Sequence, residues 1–178
     1  MAPRAAFMSH PRRGLADFEL FSEVDEDGFV ALVCPDTYLG YIDEDWTPEQ
    51  LTEHCLGQMN AQALFIAHPG PQLACEPLRI ANNPSPLAAS WEASNVLHVG
   101  KSGLWITDYV QLTMAAQFNN ERPVAGYHTC LPVQAGMYRV TLRQVATQPA
   151  IEVIIQEANA CDRRCVLSAI RGLESGPQ

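Results

Sequence analysis

The apolar residues of this chain come in short runs, and each run is closed by a proline, a glycine or a group of acids. Gly28-Phe-Val-Ala-Leu-Val-Cys34 is the clearest, a buried-strand pattern stopped by Pro35. Asp17–Val24 alternates apolar and polar residues as a half-buried strand does, and Ala63–His68, Leu78–Ala81, Val96–Val99, Leu104–Ile106, Val124–Leu131, Met137–Val145 and Ile151–Gln156 add further strands. Helix signals are fewer. Thr47-Pro48-Glu49-Gln50 offers a hydroxyl cap, Pro at the first helical position and Gln three residues on, so a helix is expected from Thr47 to near Asn60. Asp108 is placed to cap Tyr109–Phe118, and Asp162–Leu173 suggests a terminal helix.

About eight or nine strands with two or three helices, not alternating as β-α-β, predict an α+β fold. It is mostly antiparallel, a sandwich or a strongly curved sheet. The turns at Asp25-Glu-Asp-Gly28 and Gly100-Lys-Ser-Gly103 suggest two hairpins. Residues 69–95, rich in Pro, Asn and Ser, read as a long excursion inside one domain. The expected organisation is a leader over 1–13, a single domain over 14–173 and a tail over 174–178. At 178 residues and 47% hydrophobic content the chain has enough apolar material for its own core.

Charge is distributed unevenly. Twenty acids against eleven Lys and Arg give −9, which argues against a phosphate-backbone partner, since that affinity comes from basic side chains. Residues 1–13 carry +3, residues 14–100 carry −13 and residues 101–178 carry +1. Twelve acids lie between Asp17 and Glu53 without one Lys or Arg, densest at Asp25, Glu26, Asp27 and at Asp43, Glu44, Asp45. Like charges repel across a surface, so such a block either serves solubility or meets a basic partner. No apolar run approaches a membrane span, no secretory apolar core follows Met1, and the six cysteines form no C-x-x-C pair. Together these predict a cytoplasmic protein with reduced thiols.

Candidate chemistry is sparse. Asp25-Glu-Asp-Gly28 lacks the alternating ligands of a calcium loop. His54 and Cys55 are helix neighbours and point apart. Cys161-x-x-x-Cys165 is one close pair where structural zinc uses two. Gly100-Lys-Ser-Gly103 lacks the earlier glycine and following helix of a phosphate loop. No cofactor, metal or catalytic residue is expected, and the alternative is a small enzyme or ligand-binding domain with His98, His128 or Cys130 lining an interior pocket.

Two stretches resemble small bacterial immunity proteins: Phe18–Pro35, a strand, acidic turn and buried strand, and Leu131–Leu142. Those families neutralise toxins of polymorphic or type VI secretion systems. The resemblance implies a bacterial, cytoplasmic, acidic, mostly β inhibitor that docks on the basic active-site cleft of a secreted toxin and does not contact nucleic acid or membrane. The expected partner-binding residues are Asp25, Glu26, Asp27, Asp43, Glu44 and Asp45 as stand-ins for substrate phosphates, with Tyr41 and Trp46 as anchors.

Overall fold

Alternating and continuously apolar strands bury different numbers of faces, and the fold sorts them accordingly. The computed structural model describes residues 15–123, 128–146, 150–159, 162 and 166–173. The expected leader, tail and close cysteine pair fall outside those residues. Among them are nine strands in two sheets and two α-helices, the expected α+β architecture.

The five-stranded sheet runs in the order β1 (Glu19–Glu23), β4 (Pro77–Ala81), β9 (Ile151–Glu157), β8 (Gly136–Val145), β5 (Ala89–Val99). The four-stranded sheet runs β3 (Leu64–Ala67), β2 (Val30–Val33), β6 (Trp105–Thr107), β7 (Thr129–Cys130). Every pairing is antiparallel except β4 with β9. Leu32 and Phe65 from one sheet share a core with Ile80, Leu97, Val140 and Val153 from the other. The opposite face of the four-stranded sheet (Ala31, Val33, Leu64, Ile66) is covered by helices α1 (Pro48–Asn60) and α2 (Tyr109–Gln117) through Leu51, Cys55, Met59, Leu112, Ala115 and Ala116. The layers are sheet, sheet, helices.

Both helix starts match their signals. Thr47 and Gln50 exchange the capping-box bonds, with the Gln50 amide on the Thr47 hydroxyl at 3.3 Å and the Thr47 amide on the Gln50 carbonyl oxygen at 2.7 Å. Asp108 accepts the Gln111 amide at 2.7 Å.

Neither expected hairpin forms. β1 and β2 lie in different sheets, and so do β5 and β6, so both turns carry the chain across the sandwich. The physical reason is legible in burial: β1 alternates exposed and half-buried residues because one face is outside, whereas every residue of β2 is buried between a sheet and the helices. The excursion over 69–95 is also shorter than expected. β4 begins at Pro77 and β5 at Ala89, whose first residues alternate small and polar types and gave little apolar signal.

The expected Asp162–Leu173 helix is absent from the described part of that stretch. Asn60 instead clamps Leu167 by both backbone groups, at 3.0 and 2.8 Å, and the His68 amide bonds the Arg171 carbonyl at 2.8 Å. Gly172, at φ +91°, lies so close to His68 that a Cβ would strike its carbonyl. Only Thr129–Cys130 of the expected Val124–Leu131 strand is assigned, residues 124–127 lying outside the described set.

Candidate protein-docking face

Helix α2 has nine residues and so is about 13 Å long. Each end is finished by the acidic block. At its start, Asp25 accepts the Tyr109 amide at 2.9 Å with one carboxylate oxygen and the Phe29 amide at 2.6 Å with the other. These bonds satisfy an orphan donor of the helix and fix the Asp25–Phe29 turn. Burial raises the Asp25 pKa above the ordinary carboxylate value, and its two backbone bonds oppose that rise.

At the other end, the chain between Asp36 and Trp46 runs along α2 and α1. The Tyr41 amide donates to the Ala115 carbonyl at 3.0 Å, and the Ile42 amide to the Ala116 carbonyl. The Gln117 side chain donates to the Glu44 carbonyl at 2.8 Å. On the α1 side, Tyr38 meets His54 at 3.2 Å and the Leu39 amide bonds Gln58 at 2.9 Å. Tyr41 stands at φ +71°, unusual for a side chain this large. Gly40 approaches Ala115 so closely that a Cβ would clash with its carbonyl.

The expected site residues therefore separate by role. Asp43, Glu44 and Asp45 are exposed just ahead of the α1 N-terminus, where the helix dipole favours negative charge, and Asp43 accepts the Glu44 amide at 2.7 Å. Glu26 and Asp27 are exposed at the far end of α2, the Asp27 carbonyl lying 3.2 Å from the His68 ring nitrogen. Asp25 is half-buried and its carboxylate is occupied by backbone. Tyr41 is 49% exposed. Trp46 is half-buried against the helix core, so part of its surface is already used.

Sequence reasoning missed three residues of this face. Leu39 (71% exposed) lies two residues before Tyr41, and Val110 and Phe118 (53% and 38%) are exposed at opposite ends of α2. Apolar residues in a sequence read as core, and only their exposure separates them.

Among the described residues the arginines do not neutralise this face. Their ion pairs are Arg79 with Glu19 and Glu152, Arg143 with Glu92 and Glu152, and Arg139 with Asp162. None reaches Glu26, Asp27, Asp43, Glu44 or Asp45.

The motifs set aside at the sequence level have structural explanations. Asp36 accepts the Ser102 amide at 2.7 Å and its hydroxyl at 2.6 Å, so this turn's groups are occupied; those bonds also lower the Asp36 pKa. Burial raises the thiols of Cys34 and Cys55 to about 12, far from nucleophilic. Of the alternative pocket residues, His98 and Cys130 are exposed, and His128 lines a cavity. Among the described residues no group of three or more His, Cys, Asp or Glu converges as metal ligands would, and no helix is long and apolar enough to cross a membrane.

No family model matches the sequence, and no curated protein matches it. Two solved structures are similar in shape. One, titled crocagin biosynthetic gene J, is 11% identical with a TM-score of 0.45, the match covering 81% of this chain and 97% of that one. The other is ComJ from Bacillus subtilis, an inhibitor of the DNA-degrading activity of NucA; it is 13% identical with a TM-score of 0.36, covering 80% of this chain and 94% of that one. Likenesses this distant carry no argument about the chain's activity.

Proposed function

We propose that this protein is an acidic inhibitor, an immunity-type protein that docks on the basic active-site cleft of a toxin. The supporting observation is that Asp43, Glu44 and Asp45, which enter no ion pair among the described residues, follow exposed Leu39 and Tyr41 on the segment that runs along the C-terminal end of α2, where Phe118 is also exposed. Apolar anchors supply affinity once dehydrated, and surrounding carboxylates steer a basic partner and fix its orientation. A toxin that cuts nucleic acid or a nucleotide is the natural partner class. Its active site must hold phosphates, and carboxylates on a rigid loop can occupy those positions. The proposed setting is the cytoplasm of a bacterium carrying a secreted effector of the polymorphic or type VI kind.

The test uses the product of the adjacent gene where it encodes a secreted hydrolase. Wild-type protein should protect cells expressing that hydrolase. Asp43→Lys, Glu44→Lys and Asp45→Lys together should slow association by about tenfold or more and flatten its salt dependence. Association that is equally fast and equally insensitive to salt in both forms overturns the proposal.

A further inference from the structure

The two sheets end in the strands β1, β5, β3 and β7, and the chain treats these edges differently. β3 is buried throughout, and just beyond it the C-terminal segment takes the His68 amide through the Arg171 carbonyl. β7 is two residues long. β1 carries Glu19 and Glu23 on either side of Phe21, so a symmetric pairing of two such edges about Phe21 would set Glu19 of each copy against Glu23 of the other. Charges of this kind are one way in which exposed edges avoid one another. β5 has 11 residues, and the one Asp, Glu, Lys or Arg among them, Glu92, bonds Arg143 of the neighbouring β8 at 2.7 Å.

The register fixes which main-chain groups of β5 face outward. His98 stands opposite Met137, and the two turn their groups away from each other: the His98 amide donates to the Gln62 carbonyl at 2.8 Å, and the Met137 carbonyl accepts from the Ala158 amide at 2.8 Å. Alternation along the strand then places Val96, Ser94 and Glu92 outward as well. The Val96 amide is taken by the Asn95 side chain at 2.8 Å, and at the other end the register shifts between Ala89 and Trp91. Between these two stops, the outward amides and carbonyls of Glu92 and Ser94 have no partner among the described residues.

We infer that this edge pairs with the same edge of a second copy of the chain, antiparallel about a two-fold axis at Ala93, so that the two five-stranded sheets continue into each other. One register fits. Setting Glu92 against Ser94 of the second copy, and Ser94 against its Glu92, makes two bonded pairs and four main-chain bonds. Ala93 then meets Ala93 in the narrow, non-bonded position, where Cα atoms approach to about 4.5 Å and a methyl group fits. A shift of two residues one way puts Glu92 against Glu92. The other way puts Ser94 against Ser94 and calls on the Val96 amide that Asn95 already holds. The Glu92 oxygen not used by Arg143 is left to accept the Ser94 hydroxyl of the second copy, and that hydroxyl can still accept from Thr141. Such a pairing uses one patch on both copies and closes on itself. About five residues a side is far fewer than the 20–30 of a standard interface, so the dimer is weak, with a Kd of about 0.1–1 mM. The pairing is independent of the inhibitor reading.

Sedimentation velocity of the full chain from about 10 μM to about 1 mM should show the mass rising from monomer toward dimer. Over the same range amide exchange at Glu92 and Ser94 should slow, while at His98 it stays slow throughout. Charge at position 94 tests the register. Ser94→Glu creates two like-charged cross-strand pairs in the dimer and should weaken it about fivefold, whereas Ser94→Lys creates two opposite pairs and should strengthen it about fivefold. Ser94→Pro removes two of the four main-chain bonds at an edge position, where a sheet tolerates proline, and should leave a monomer at every concentration. The two charge variants change an exposed side chain and keep the pairing falsifiable should the proline variant fail to fold. A monomer still present alone at about 1 mM, a dimer whose strength the variants leave unchanged, or a dimer that both charge variants shift in the same direction overturns the pairing.

Discussion

The two outer faces of the molecule carry charge in opposite ways. Across the five-stranded sheet, Glu92, Arg143, Glu152 and Arg79 are direct cross-strand neighbours, and Glu19 joins at the end, so the signs alternate from β5 to β1. Glu152 is 3% exposed, and each of its oxygens meets an arginine, at 2.9 and 2.8 Å. The helix face carries carboxylates of one sign with no arginine partner among the described residues. Charges that serve the fold are paired and partly buried, while charges left single on an exposed surface repel one another and contribute little to it. Among the described residues the ion-paired arginines serve the sheet, and none meets the acidic block, so the block's charge is free for the partner proposed above.

The largest effect expected from breaking this contrast is on the sheet. Arg143→Met removes one of two partners of a buried carboxylate and also a bond to the Leu87 carbonyl. Stripping one side of a buried pair costs about 3–5 kcal/mol, and urea unfolding should show a loss on that scale, lessened by the remaining Arg79 contact. Replacing Arg143 and Glu152 together by Met and Leu should recover much of the loss, because no unpaired buried charge remains. A loss below about 0.5 kcal/mol for the single variant, the range of an ordinary surface change, would mean that the ladder is ornamental.

Asp25 sits between the two uses of charge and sharpens the comparison. It belongs to the acidic block, yet its carboxylate holds the turn and the α2 start. Asp25→Ala should therefore cost about 1–2 kcal/mol, as loss of a helix cap does, while Glu26→Ala beside it should be nearly neutral. Equal effects at the two positions would remove the distinction drawn here between a fold-serving acid and its exposed neighbour.

How far this was visible in the sequence depends on the range of the interaction. The caps at Thr47 and Asp108 are contacts within a few residues, so their side chains predict their helices directly. Sheet membership is not local: the turns at 25–28 and 100–103 look like hairpin turns whichever sheet the next strand joins. The contrast between alternating β1 and uninterrupted β2 was the available signal that the two strands differ in layer. Within the face, Asp43–Asp45 was legible as charge, whereas Leu39, Val110 and Phe118 were indistinguishable from core. The cavity lined by Glu23, Asp108 and His128 was not legible, since those residues come from distant segments and no spacing in the chain links them.

A smaller effect is expected from pH. Burial lowers the pKa of His54 and of His128, so the folded state favours the neutral rings more than the unfolded chain, whose histidines titrate near about 6.5. That stability is complete above the unfolded value and declines as pH falls through it toward the folded values. Around His54 stand the Tyr38 hydroxyl and, one residue away on α1, Glu53. Asp25 works in the opposite direction, its raised pKa relieving a cost as pH falls further into the carboxylate range. The melting temperature should thus be lower at pH 5.5 than at 7.5, and His54→Gln should flatten that slope by less than Asp25→Ala shifts the whole curve. A variant slope as steep as the wild-type slope would exclude His54 as a contributor.

The smallest stability change should come where the functional change is greatest. Reversing Asp43, Glu44 and Asp45 to Lys touches exposed side chains, and each position should alter unfolding free energy by no more than about 0.5 kcal/mol. The new charges would face the α1 N-terminus unfavourably, so the sign of the small change should be destabilising, and salt should erase it. Tyr41→Ala supplies the uncharged counterpart. Its main-chain bond to Ala115 is kept and its exposed ring lost, so affinity for a partner should fall through a faster dissociation rate while salt dependence stays as it was. If the reversal instead unfolds the protein as severely as Arg143→Met, the acids serve the fold after all, and the helix face loses its distinction from the sheet.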